Sequence, residues 1–324
     1  MKKIFEGEIF EECPEGWGQR LDTHRWLGED VLRASKYRDT PFRFVVHKKY
    51  VCCEYTKNIN LFTFGRLNFT IPVTFVAMPF SIDEPGFSGD INALIDDYRR
   101  RKGFFLLLNL KSVDSIGKRY PKGNTLFTCI FENKFKSFDE YLLSLRSNYR
   151  RRISIAQKRG KALIIRKIDS EEFNDELHKL YLNVLGNSKY PLETLDKGFF
   201  QTINSDIHVF YKDEKPVAFI STKRVDNTLH FLLGGMDYTV LKELDLYYNM
   251  LLHIVKLGIE QKFKKINFGQ TGEISKLRIG CTFEKRYMVA VISNGFLNSI
   301  IRLLKPFIEY RFPEQNNRVF KSFT

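Results

Sequence analysis

The stretch from Pro216 to Gly280 constrains this chain more than any other, because it reads as strand, strand, long helix, strand, glycine turn and short helix without interruption. A strand over 228–237 carries Gly234 and Gly235 near its end, where a ligand or another backbone can approach closely. A helix over 243–263 follows, with Leu244, Tyr248, Leu251, Leu252, Val255 and Ile259 on one stripe. The next strand, 265–268, opens into Gly269-Gln270-Thr271-Gly272 and a helix carrying Lys276. Two parallel strands joined by a crossover helix place two polar loops at one edge of a sheet, where α/β folds bind ligands.

The flanking segments extend the pattern. Ser137 and Glu140 read as a capping box opening a helix that runs to Gly160, with Tyr141, Leu142, Leu145, Tyr149, Ile153 and Ala156 on its apolar stripe. A strand over 162–168, helices over 171–185 and 192–203, and strands over 206–211 and 216–225 follow, and a strand over 286–292 closes the unit. Upstream, strands over 42–46 and 50–55 form a hairpin, a helix spans 90–99 and a strand 104–108. The proline-bearing segment 71–79 suits an edge or an irregular wall. We expect three parts: an N-terminal domain 1–136, a second domain 137–295, and a helical extension 296–324.

With 324 residues, 43% of them hydrophobic, the chain can build two cores. A net charge of +14 predicts an anionic partner: a phosphorylated cofactor, tRNA or an acidic membrane surface. The five cysteines include no C-x-x-C pair, so neither a disulfide framework nor a metal site is expected. No leader of signal type opens the chain and no apolar run approaches the roughly 18 residues of a membrane span, which predicts a cytoplasmic location.

The element order over 137–293 resembles the GNAT acyltransferase fold, an α/β arrangement around a mixed sheet. Three motifs sharpen the likeness: Arg146-Ser-Asn-Tyr-Arg-Arg-Arg-Ile153 ahead of Lys158-Arg-Gly160, Gly234-Gly-Met-Asp237, and Phe268-Gly-Gln-Thr-Gly272 followed by Lys276-Leu-Arg-Ile-Gly280. They resemble the basic helix and two glycine turns of the Fem-like acetyltransferase and peptidoglycan-ligase group. The resemblance implies two GNAT-like domains in tandem, with residues 1–136 a degenerate first copy that shapes the acceptor cleft and residues 137–295 the catalytic domain. It also implies transfer of an acyl group, first of all acetyl, from a thioester such as acyl-CoA to an amine of a small metabolite, sugar or cell-envelope precursor. The chain departs from ordinary GNAT enzymes at 238–247, where their loop for the coenzyme A pyrophosphate is missing, as it is in Fem-type members that use aminoacyl-tRNA. Aminoacyl-tRNA thus stays open as donor, and a non-catalytic nucleic-acid- or membrane-binding protein on the same fold is a further alternative.

Acyl transfer needs a deprotonated nucleophile, oxyanion stabilisation and a proton for the leaving group. Gly234 and Gly235 can offer backbone N–H groups to the acyl oxygen, or can mark a bulge. Asp237 can steer or deprotonate the amine, or can form a turn. Lys276 can stabilise an oxyanion or phosphate, beside Gln270 and Thr271 as hydrogen-bonding neighbours. Tyr247 is the candidate proton donor, whereas Tyr248 and His230 read as packing residues. Arg150 and Arg151 belong to a run of nine cations over 146–167 with no acidic residue, a face for the phosphates of a donor or of tRNA. The apolar, sparsely basic segment 296–308 either covers a core or rests on an anionic membrane.

Overall fold

The computed structural model describes residues 5–17, 33–60, 69–78, 80, 82–188, 193–311 and 317–321. Leu192, the predicted start of a helix, Pro79 and both chain ends lie outside them. The chain divides into two units, Met1–Phe127 with Lys285–Pro313, and Thr128–Glu284 with Glu314–Thr324. Among the described residues, no helix is long and apolar enough to cross a membrane.

In the first unit the chain forms β1 (Glu8–Phe10), β2 (Arg43–His47), β3 (Tyr50–Asn60), β4 (Thr70–Val76), β5 (Phe87–Gly89), α1 (Ile91–Tyr98), β6 (Phe104–Leu110) and β7 (Lys122–Asn124). The Asp90 carboxylate accepts from the N–H groups of Asn92 and Ala93 and so starts α1. That helix buries Leu94, Ile95 and Tyr98 against Val45, Cys52, Phe105 and Leu107 of the sheet. A buried carboxylate pins the two together: Glu54 on β3 accepts from the Tyr98 hydroxyl at 2.6 Å and from both Arg101 guanidinium nitrogens at 2.7 and 3.0 Å. The segment expected as an edge or irregular wall is strand β4, lying between β3 and β6. β6 pairs with it only from Thr74 to Val76, so Pro72 sits where β4 has a partner on one side alone.

The second unit holds β8 (Thr128–Glu132), α2 (Phe138–Ser144), α3 (Ser147–Arg159), β9 (Ile164–Ile168), α4 (Asp175–Gly186), α5 (Lys197–Thr202), β10 (Asp206–Lys212), β11 (Lys215–Val225), β12 (Thr228–Met236), α6 (Leu246–Glu260), β13 (Lys265–Asn267), α7 (Glu273–Arg278) and β14 (Thr282–Glu284). Its strands lie in the order β14-β8-β13-β12-β11-β10-β9, with β12 and β13 parallel. The core is the apolar stripe of α6 packed with Phe131, Phe210, Ala218, Ile220, Leu229 and Ile266.

Two expectations need correction. The helix predicted from Ser137 to Gly160 is two helices. Leu145 and Arg146 are extended, because Leu145 bridges to Phe320 and the Arg146 N–H donates to the Val319 carbonyl at 3.0 Å. The last strand, β15 (Tyr287–Ile292), joins the first unit, pairing with β6 and β7, and the helix after it, α8 (Gly295–Ile308), belongs there too. Conversely, β8 pairs with β13 and β14. The units therefore do not divide at 136 and 295. Strand partners far apart in the chain set the boundaries, and local periodicity carries no record of them.

Candidate active site

The site grows out of one break in the second sheet. Strands β12 and β13 pair in register at Thr228–Lys265, Leu229–Ile266 and His230–Asn267, and there the pairing ends. β12 runs on to Met236 with β11 still beside it, and the register slip opposite Ser221 and Thr222 places an extra residue, Leu232, in β12. Such a bulge bends a strand and raises its twist, which carries the end of β12 away from β13.

Alternation along β12 decides which peptide groups face the gap. The Asp237 N–H donates to the Val217 carbonyl at 2.8 Å, on the β11 side. Successive residues of a strand point their N–H groups to opposite sides, so Gly235 also turns toward β11 while Gly234 and Met236 face the parted edge. The expected donor at Gly235 thus belongs to the ladder, and Met236 is a candidate that glycine spelling alone did not indicate. Gly235 is bare for packing: a Cβ there would lie 2.4 Å from the Phe219 ring and 2.6 Å from the α4 backbone at Leu180 and Tyr181. Gly234 is enclosed by the Phe219 carbonyl and by Met250 and Phe231 side chains.

Across the gap stands the turn 269–272. Gly269, Thr271 and Gly272 all have left-handed backbone, with φ of 67°, 61° and 62°. For a β-branched threonine this conformation costs on the order of 1–3 kcal/mol and needs outside support. Lys276 supplies it. Only 2% exposed, its ammonium donates to the carbonyls of Phe268 at 2.6 Å and Gln270 at 2.8 Å. Its observed role is to hold the turn's backbone. Tyr247 reaches the same place from α6: its hydroxyl would lie 2.6 Å from a Cβ on Gly272. Burial pushes the Tyr247 phenol well up from its usual value, so it carries its proton at neutral pH as a donor and not a base. Tyr248, by contrast, is buried in the core under the Arg152 guanidinium, with its phenol pushed up to about 12.

Asp237 forms an Asx turn, accepting from the Thr239 N–H at 2.9 Å and hydroxyl at 2.6 Å. The Thr239 hydroxyl holds its carboxyl below the ordinary range, so it is a charged group, suited to holding an ammonium and a weak proton acceptor. His230 is buried, in keeping with a packing role.

Between β12 and α6 the chain differs from a phosphate cradle. Asp245 precedes α6 in left-handed conformation, φ 46°, and its carboxylate sits where a helix N-terminus would face an anion. Arg152 clasps it at 2.6 and 3.1 Å and Arg159 at 3.1 Å. Arg166 pairs with Glu214 and Lys167 with Asp206. Partners from distant elements thus neutralise four cations of a run that contains no acid of its own. Arg150 and Arg151 remain without an acidic partner among the described residues, as do Arg146, Lys158 and Lys161.

No protein-family model matches the chain, and no curated protein matches it. Solved structures do match in fold. A conserved protein of unknown function from Bacteroides thetaiotaomicron VPI-5482 is 14% identical over 81% of this chain and 88% of its own, with a TM-score of 0.53. L-PGS from Bacillus licheniformis is 13% identical over 94% of this chain and 99% of its own, with a TM-score of 0.52. FemX is 12% identical over 91% of this chain and all of its own, with a TM-score of 0.50. Identity this low speaks for the fold alone. With two mixed sheets and a strand pair parted beside a glycine turn, the chain has the tandem GNAT-like fold found in FemX.

Proposed function

We propose that the second unit is an N-acyltransferase that moves an activated acyl group, in the first instance acetyl from a thioester such as acyl-CoA, to an amine of a small metabolite, sugar or envelope precursor. The parting of β12 from β13 beyond His230 and Asn267 carries this reading, because it leaves peptide N–H groups of β12 without a strand partner, while Tyr247, partly buried at the start of α6, keeps its proton at neutral pH. The amine nitrogen attacks the carbonyl carbon, and the oxyanion that forms accepts hydrogen bonds from the Met236 and Gly234 N–H groups. Asp237 holds the incoming ammonium near the strand end before it loses its proton to solvent. Collapse of the tetrahedral intermediate breaks the bond to the leaving group, which takes its proton from Tyr247, and the proton that the attacking nitrogen gives up on becoming an amide passes through solvent to restore the phenol. Lys276, Gln270 and Thr271 act by holding the turn in place.

Aminoacyl-tRNA as donor is a second reading, and Asp245 favours it. The Asp245 carboxylate already takes up the Arg152 and Arg159 guanidiniums that could otherwise meet a pyrophosphate at the start of α6, whereas Arg150, Arg151 and the other cations of α3 without an acidic partner suit a phosphate backbone.

The test is transfer by the whole protein from a panel of acyl-CoAs and charged tRNAs to amine acceptors, followed by mass spectrometry. Tyr247→Phe should lower kcat by about 10²-fold with little change in melting temperature. Product from only one donor class decides between the readings. Turnover unchanged in Tyr247→Phe removes that residue from the mechanism, and no product from either class ends the proposal.

A further inference from the structure

The parted edge of β12 has a closed end and an open one. It closes where His230 and Asn267 still pair, and it opens toward Asp237, just past the end of β12. Phe231 is the first residue beyond the last pair, and its carbonyl oxygen lies 3.9 Å from the Cβ position of Gly269, where the glycine turn begins. A donor that enters from the open end carries its acyl group foremost, because neither a coenzyme nor a tRNA can follow into a gap between two strands. The tail of the acyl group therefore points to the closed end.

Alternation along β12 fixes what stands there. Phe231, Gly234 and Met236 oppose Thr222, Ile220 and Ala218, alternate residues of β11, so their side chains share one face of the sheet. That face is the one α6 covers, since Ala218, Ile220 and Met236 pack into the core with Met250 and Leu251. Over Gly234 two side-chain tips converge: a Cβ there would lie 3.1 Å from Met250 Cε and 3.3 Å from Phe231 Cζ. Both separations are shorter than the optimum for carbon atoms, so the space above the glycine is taken while its N–H faces the gap. Phe231 is half-buried and Met250 fully buried, so the ring borders the gap and the thioether backs it.

We propose that Phe231, backed by Met250, sets the length of the acyl group this site transfers, admitting a short one such as acetyl and excluding hexanoyl and longer chains. This limit rests on the acyl transfer proposed above and holds for either carrier. With its carbonyl oxygen at the Gly234 N–H, an acyl group has the Phe231 ring beyond its first carbons. Each further methylene must displace a ring that the α6 core holds in place, and a close-packed interior yields little to such overpacking.

The test is a competition in one vessel. The whole protein is given the amine acceptors with equal concentrations of acetyl-, butyryl- and hexanoyl-CoA, and the products are compared by mass spectrometry. A parallel arm uses glycyl- and leucyl-tRNA as the short and long donors. Short product should exceed long product by about tenfold or more, since one surplus methylene in an apolar pocket already changes specificity by about that factor. Phe231→Ala removes the ring and should raise the long-to-short ratio by about tenfold, whatever happens to total turnover. Phe231→Leu keeps an aliphatic contact with the core and should raise the ratio by less, and it serves if the alanine variant fails to fold. The ratio is the readout because loss of packing alone lowers both products together. Long and short products in equal amount from the unmodified protein overturn the proposal, as does an unchanged ratio in a folded Phe231 variant, and in both cases acyl transfer itself stands. No product from any donor ends the acyl-transfer reading and the length limit with it.

Discussion

A methyl group added at Gly235 would meet main chain, since Leu180 C and Tyr181 N lie 2.6 Å from the ideal Cβ position and cannot rotate out of the way. Gly235→Ala should therefore cost about 1–3 kcal/mol through displacement of α4. Gly186, the last residue of α4, has nothing within 4 Å of its Cβ position, so Gly186→Ala should gain about 0.4–1 kcal/mol by restricting the unfolded chain. Urea unfolding of the two variants checks both signs, and a neutral Gly235→Ala would contradict the helix contact. The paired glycines were legible as a place of close approach, but the sequence does not say whether ligand or helix approaches. Lys276 was likewise legible as the centre of its motif. Its attachment to the Phe268 and Gln270 carbonyls depends on how the turn folds back over α7, which spacing alone does not encode.

At the level of elements, α6 and β10 meet through two imidazoles, with His253 Nε2 and His208 Nδ1 3.0 Å apart. Burial, and then the neighbouring His208, lowers the His253 pKa to about 3, and burial lowers that of His208 as well. Unfolded, both groups take up protons near pH 6.5. The unfolded state thus binds more protons between about pH 6.5 and 3, and stability falls as the pH drops through that window. The melting temperature should decline between pH 7 and 4.5, and less steeply in His253→Leu; parallel profiles would refute the coupling. Strands β10 to β12 and helix α6 were legible because each repeats its apolar residues at the period of its own secondary structure. The break between α2 and α3 was not. The stripe through Leu145 continues at helical spacing, and only Val319 and Phe320, drawn from the other end of the chain, explain why the backbone extends there.

At the level of the molecule, the two units are interleaved in sequence. Residues 1–136 carry β8, which belongs to the second sheet, and lack β15, which lies beside β6 in the first. A fragment of residues 1–136 should therefore show no cooperative urea transition by near-UV circular dichroism, and a sharp transition would show that β15 is dispensable. On the ribosome the same connection imposes a wait. At about 5–20 residues per second, β6 is complete on the order of ten to a few tens of seconds before Tyr287 is made. Throughout that interval one side of β6, with the sequence Phe-Phe-Leu-Leu-Leu-Asn-Leu, has its hydrogen-bonding groups unsatisfied by their native partner. Newly made chains are thus open to edge-to-edge association with one another until β15 has been made, and soluble yield should depend on how fast the ribosome moves and on chaperones that shield this strand.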